Sequence, residues 1–228
     1  MNVGRNEQSG AYHARDQKQP AAAPIPPATV FVVDDDAAVL KSLSRLLRSA
    51  RLAVATFSSP RDFLDRHDPN TPGCLVLDVA MPGLNGLELQ QALMARGHEP
   101  AIIFLTGHGD IPMSVKAMKR GAVDFLTKPV DHDDLLKAIR AAIEKDRLQR
   151  QAHAEVAEIQ QRLATLTPRE REVMYHVISG HLNKQTAADL GTVEKTIKVH
   201  RARVMEKMKV NSVAELVHLA ERAGFAGK

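Results

Sequence analysis

The sequence predicts an α/β domain on a doubly wound, five-stranded parallel sheet, then a helical linker and a C-terminal all-helical segment. Three observations carry this. Between residues 29 and 143, five apolar runs of strand length alternate with stretches of helical periodicity. The runs are apolar throughout, as strands covered on both faces require. Beyond residue 143 the strand-like runs cease and only helical spacing remains.

Taken in order, residues 1–28 are polar and then rich in Ala and Pro (Pro20, Pro24, Pro26, Pro27), and read as a disordered tail. The strand runs are Thr29–Asp34, Ala53–Phe57, Cys74–Asp78, Ala101–Thr106 and Val123–Thr127. Helical stretches fall at 37–50, 60–67, 86–97, 111–120 and from about 132. Pro60 after Ser58-Ser59, Asp110 before Pro112, and Asp131 mark helix starts, since a short polar cap and an N-terminal proline satisfy or remove orphan N–H groups. Right-handed crossovers complete the expected domain over 29–143.

Residues 144–165 carry Leu148, Ala152, Val156, Ile159 and Leu163, with Leu166 next, spaced by fours and threes. Such a stripe suits either a continuous helix pairing with another or one packing on its own domain. Residues 166–228 announce two helix starts as capping boxes, Thr167-Pro168-Arg169-Glu170 and Ser212-Val213-Ala214-Glu215.

Composition narrows the class. Of 228 residues 44% are hydrophobic and 25% charged, which excludes a mainly disordered or collagen-like chain and suits two domains. The single cysteine, Cys74, cannot form an internal disulfide, so a reducing compartment is expected. No apolar run reaches membrane-spanning length and the first residues lack a signal-peptide core, so a cytoplasmic location with no membrane contact is expected. Net charge is +1 over 1–28, −1 over 29–143, zero over 144–165 and +4 over 166–228. The positive excess directs the search for a nucleic-acid surface to the last quarter.

In an open parallel sheet, ligands bind beyond the carboxyl ends of the strands. Those ends carry Asp34, Asp35 and Asp36, then Asp78, Thr106 and Lys128. Carboxylates converging on one edge repel unless a cation joins them, and a hard ion such as Mg²⁺ would do so. The lysine and hydroxyl suit an incoming phosphoryl group, and a carboxylate beside Mg²⁺ is a plausible nucleophile. Singly, each Asp could be a helix cap; the four strand ends acting together point to a site.

In the last segment, Ala187, Gly191 and Ile197 offer a small residue at a helix crossing, a turn glycine and an apolar anchor, as a helix-turn-helix needs. On a helical wheel of 194–208, Ile197, Val204 and Met208 share one face. Lys195, Lys198, Val199, Ala202 and Arg203 occupy the other, where cations meet phosphate or guanine and small apolar groups meet thymine methyls. His200 and Arg201 lie on the flanks, suited to backbone phosphate or to structure. The ten histidines show no zinc-ligand spacing.

Val32-Val33-Asp34-Asp35-Asp36, Leu77-Asp78-Val79-Ala80-Met81-Pro82-Gly83 with Gly86, Thr106-Gly107-His108-Gly109-Asp110 and Lys128-Pro129 together resemble a two-component receiver domain over residues 29 to about 145. The resemblance implies that Asp78 is the phosphoacceptor and that Asp35 and Asp78 ligate Mg²⁺ directly, Asp34 through water. The Ala80 carbonyl would complete the protein ligands. Thr106 and Lys128 would hold the phosphoryl oxygens, Phe125 would be the aromatic switch, and the Lys128–Pro129 bond would be cis. Asp36 is read as a helix cap, and His108 either tunes the phosphoryl lifetime or is an idle loop residue. Val130 departs from relatives that carry an aromatic there.

The segment Leu166–Phe225, with Thr196-Ile197-Lys198-Val199-His200-Arg201, resembles the NarL/FixJ (LuxR-type) four-helix DNA-binding domain. Together the two parts are most similar to FixJ-type response regulators, including those of aromatic catabolism. This implies a sensor histidine kinase, promoter DNA and RNA polymerase as partners, activation of transcription, and dimerisation through the 111–120 and 123–127 face on phosphorylation. The Val213/Leu216/Val217/Ala220 side of the last helix would form the DNA-bound dimer contact, or else close the monomer core. Haloacid-type phosphatases, the competing enzyme class, also use such residues around Mg²⁺. They need an acid two residues after the nucleophile, where Ala80 stands, and their nucleophile lies on the first strand.

Overall fold

The structure, a computed structural model, describes residues 27–107 and 111–225. The expected tail up to residue 26, and the readings of His108 and Asp110, lie outside these. Strands β1 (Thr29–Val33), β2 (Ala53–Phe57), β3 (Gly73–Asp78), β4 (Ala101–Thr106) and β5 (Asp124–Thr127) form one parallel sheet in the order β2-β1-β3-β4-β5. The chain reverses its winding between β1 and β3, so the crevice beyond their carboxyl ends is the natural ligand site.

Side chains alternate along each strand and feed two cores. Val30, Val32, Cys74, Val76, Ile103 and Leu105 face helices α1 (Ala37–Ser49) and α5 (His132–Ala164). Phe31, Val33, Leu75, Leu77, Ile102 and Phe104 face α2 (Pro60–Arg66), α3 (Gly86–Ala95) and α4 (Ile111–Lys119). Burial on both faces explains the unbroken apolar runs. Cys74 is buried, and burial with the nearby Asp146 charge pushes its thiol up to about 12, so it is chemically quiet.

Caps set the helix starts. Asp36 accepts from the Ala38 N–H, Ser59 from Asp62 with Pro60 following, and Asp131 from Asp133 and Asp134. The Thr167–Glu170 box is reciprocal; in the Ser212–Glu215 box, Glu215 instead accepts from the Asn211 N–H.

The linker is part of α5, a single helix of 33 residues. Its first half belongs to the receiver core through Leu135, Ile139 and Ala142. Asp146 accepts from the Gly73 N–H, and Arg150 donates to Asp146 and to the carbonyls of Pro69, Asn70 and Thr71. The receiver's grip therefore reaches Arg150, beyond the boundary expected at residue 143. Leu148 and Ala152 are exposed, while Ile159 and Leu163 lie in the C-terminal core. The stripe is thus divided, and its lower part packs on its own domain.

Helices α6 (Pro168–Ile178), α7 (Asn183–Asp189), α8 (Glu194–Met208) and α9 (Val213–Arg222) close around Val173, Met174, Ile197, Val204, Met208 and Leu216. Gly191 adopts φ +61 in the turn between α7 and α8, a conformation that side chains rarely adopt.

Candidate functional site

At the carboxyl edge of the sheet, buried Asp34 follows β1, β3 ends on buried Asp78 and β4 on buried Thr106, and Lys128 follows β5. Lys128 Nζ lies 2.6 Å from Asp34 Oδ2 and 2.9 Å from Asp78 Oδ1. Asp34 Oδ1 also accepts from the Asp36 N–H at 2.9 Å. Carboxylate oxygens of Asp34, Asp35 and Asp78 converge within 4.8 Å of one another, with Asp35 exposed to solvent. Ala80 lies exposed two residues past Asp78, and the Lys128–Pro129 bond is cis.

Burial raises the Asp34 carboxyl, and its bonds to Lys128 and the Asp36 amide only partly offset this. For Lys128 burial works downward, yet hydrogen bonds to the two carboxylates carry the ammonium above its usual range. The lysine is firmly charged and held between two acids. Phe125 is half-buried, its ring 6.0 Å from that of Phe104.

Gly86, quoted with the motif but given no role by sequence, has a steric one. A Cβ there would meet the Asp78 carbonyl oxygen at 2.4 Å. Glycine lets α3 begin against the end of β3, behind the Asn85–Glu88 capping box. Its signal was a glycine one residue past an Asn cap.

The second region is the outer face of α8. Lys195, Lys198, Val199, Ala202 and Arg203 are all exposed, opposite buried Ile197, Val204 and Met208. Lys198 pairs with Glu194 on the same exposed surface, at 3.0 Å. Arg201 donates to Asn183 Oδ1 at 3.2 Å, and so ties α8 to α7. His200 is half-buried. Val193, the N-cap of α8, is 64% exposed and adds an apolar group beside the same surface, although no local period or motif marks it.

Of the two roles open to the last helix, the packing matches closure of the monomer core. Leu216 and Ala220 are fully buried in the C-terminal core and Val213 packs against it, because the apolar side of α9 is needed to close the monomer. Of the four residues, half-buried Val217 lies outside that cluster.

Residues 30–140 match the model of the response regulator receiver domain, and 164–220 that of the luxR family of bacterial regulatory proteins. Nodulation protein W of Bradyrhizobium diazoefficiens is 48% identical over 87% of this chain and 88% of its own. Response regulator protein TodT of Pseudomonas putida is 48% identical over 85% of each, and transcriptional regulatory protein FixJ of Azorhizobium caulinodans 47% identical over 86% of this chain and 93% of its own. Among solved structures, response regulator StyR is similar with a TM-score of 0.78 and 47% identity, covering 86% of this chain and 99% of that one. Full-length FixJ from B. japonicum gives 0.52 at 44% identity, covering 88% and 98%. The similarity thus runs along nearly the whole chain, and the protein belongs to the response regulators that join a receiver to a LuxR-type DNA-binding domain.

Proposed function

We propose that the chain is a phosphorylation-dependent transcription regulator, an activator, in which Asp78 accepts a phosphoryl group from a sensor histidine kinase. The observation that carries this is Lys128 Nζ bridging Asp34 and Asp78 at a ligand-binding sheet edge. An Asp78 oxygen attacks phosphorus in line; the bond from phosphorus to the donor imidazole nitrogen breaks as the new P–O bond forms. Lys128, already charged, follows the phosphoryl oxygens, and the Thr106 hydroxyl donates to another.

Asp34, Asp35, Asp78 and the Ala80 carbonyl are an all-oxygen set of the kind Mg²⁺ prefers, and the convergence of three carboxylates fits it. When bound, the ion screens the carboxylates and the transferring group's charge. The added charge, about −1.5 to −2 near neutral pH, draws Thr106 and Lys128 inward and repacks Phe125. A hundredfold shift in populations needs a differential of about 2.7 kcal/mol, within reach of one such charge-assisted network.

Dimerisation through α4 and β5 is supported by Ile111, Val115 and Met118, exposed apolar residues spaced along one side of α4. Paired receivers would present two α8 helices to promoter half-sites. Lys195, Lys198, Val199, Ala202 and Arg203 would read and clamp DNA, with His200 beside the backbone and RNA polymerase as the later partner. Arg201 is better suited to holding α8 against α7. In the DNA-bound dimer, Val217 is the remaining contact candidate on α9. No helix among the described residues is long and apolar enough to cross a membrane, which fits the expected cytoplasmic location. The only enzymatic activity proposed is self-phosphorylation and dephosphorylation; the phosphatase alternative still lacks its general acid at Ala80.

Intact mass after incubation with a small-molecule phosphodonor and Mg²⁺, beside Asp78→Asn, tests the switch. One added phosphoryl group in the native protein and none in the variant is expected; equal labelling of both would overturn the assignment.

A further inference from the structure

The C-terminal domain holds a cluster that the phosphoryl switch does not use. His176 lies near the end of α6, and Gly180, at φ +81, reverses the chain there. The His181 N–H then donates to the His176 carbonyl, and the two imidazoles meet with centroids 4.9 Å apart. Asp189, the last residue of α7, closes the triangle. The Nδ1 atoms of the two histidines are 2.8 Å apart, and Asp189 Oδ2 lies 3.5 Å from His176 Nδ1 and 3.3 Å from His181 Nδ1.

Three lone-pair donors pointing at one another are hard to satisfy with protons alone. At 2.8 Å one imidazole nitrogen donates its proton and the other accepts it, so the accepting nitrogen has no proton for the carboxylate. A single cation would accept all three lone pairs together. Around a tetrahedral Zn²⁺ with bonds of about 2.0–2.2 Å, neighbouring donors lie roughly 3.3 Å apart, close to the two Asp189 spacings, and the 2.8 Å imidazole pair would open by about half an ångström to admit the ion. Two imidazoles and a carboxylate suit Zn²⁺, whereas Mg²⁺ and Ca²⁺ favour all-oxygen sets. His176 is 14% exposed and gives the site a fixed base, while His181 at 41% and Asp189 at 47% leave a fourth position open to water.

We propose that His176, His181 and Asp189 form a Zn²⁺ site that staples the end of α6 to the end of α7. The staple sits immediately before the turn that launches α8, so the bound metal stiffens the helix pair presenting the recognition helix. The spacing of five and then eight residues matches no familiar zinc pattern, because the ligands meet only through the Gly180 turn and the packing of α6 and α7 against α8.

The test uses the full chain in excess Mg²⁺, which occupies the oxygen-donor pocket of the receiver. Zn²⁺ is titrated in competition with a chromophoric chelator against the native protein, His181→Ala, Asp189→Asn and Asp78→Asn. One equivalent is expected to bind the native protein and Asp78→Asn equally. His181→Ala and Asp189→Asn should bind at least about tenfold more weakly, since even the outer partners of zinc ligands are worth ~10–100-fold. Co²⁺ should give the intense visible absorption of a four-coordinate site in the native protein and lose it in His181→Ala. Unchanged circular dichroism establishes that the variants are folded, and Asp189→Asn decides the matter if His181→Ala is not. Equal zinc affinity in the native protein and the folded variants would overturn the site, as would zinc binding that disappears in Asp78→Asn.

Discussion

Lysine meets carboxylate at nearly the same distance in the receiver pocket and on the outer face of α8, and the two contacts differ in burial. Lys128 lies 2.6 Å from Asp34 and Lys198 lies 3.0 Å from Glu194. The side chains of the first pair are 24% and 2% exposed, those of the second 63% and 45%. Burial makes the first pair part of a coupled unit, in which removing Lys128 strands two neighbouring buried carboxylates, whereas without Asp34 the lysine would keep its contact with Asp78. Exposure makes the second a screened contact, weak enough for Lys198 to leave Glu194 for a phosphate. A switch needs the first kind of pair and a DNA-reading surface needs the second.

The sharpest way to break this comparison is to remove each lysine. Lys128→Ala should slow phosphoryl acceptance by about 10²–10³-fold, the usual cost of one preorganised charge-stabilising donor, read as the rate of mass increase with phosphodonor. Lys198→Ala should leave that rate unchanged. Equal effects would mean that burial does not separate the two pairs.

A buried pair in the C-terminal domain tests whether burial, rather than the domain, decides. Glu170 is buried and accepts from Lys207 Nζ at 2.6 Å, which with the Thr167 N–H holds its carboxyl down at about 2. A depressed acid stabilises the fold above its unfolded pKa, near 4.3, and loses that contribution as pH falls toward 2. Glu170→Gln should therefore cost about 1–3 kcal/mol at neutral pH in chemical denaturation, and the difference should vanish by about pH 2.

On the exposed side, Lys198→Ala should leave stability within about 0.5 kcal/mol and reduce the salt slope of DNA binding by about one, measured by titration at several salt concentrations. The smallest effect expected is a gain. Burial raises Asp34, so its ionised form opposes folding, and stability falls as pH rises through its native pKa. Asp34→Asn should accordingly be slightly more stable than the native protein at pH 7 in thermal melts, while accepting phosphoryl groups poorly.

Much of this was legible beforehand, for reasons of chain geometry. Strands buried on both faces advertise themselves as unbroken apolar runs, and caps such as Ser59-Pro60 and Thr167-Pro168 stand next to the helices they start. Asp34, Asp78, Thr106 and Lys128 could be grouped because parallel strands deliver their carboxyl ends to one edge. The exposed cationic face of α8 followed from a period of 3.6 residues. Less was legible where the partner is remote. Nothing local says that Arg150 reaches the carbonyls of residues 69–71 or that Arg201 is held by Asn183, and the apolar side of α9 left two roles open for Leu216 and Ala220.

The sequence by itself thus determined the order of strands and helices, the acids and the lysine of the pocket, and the outward cations of α8, because each follows from a local period or from a strand end. Tertiary structure alone decided which charges are buried enough to couple, where α5 passes from one domain's core to the other, and that His176, His181 and Asp189 meet. Those outcomes depend on distances between residues far apart on their helices or in the chain, and packing sets such distances where no local pattern can.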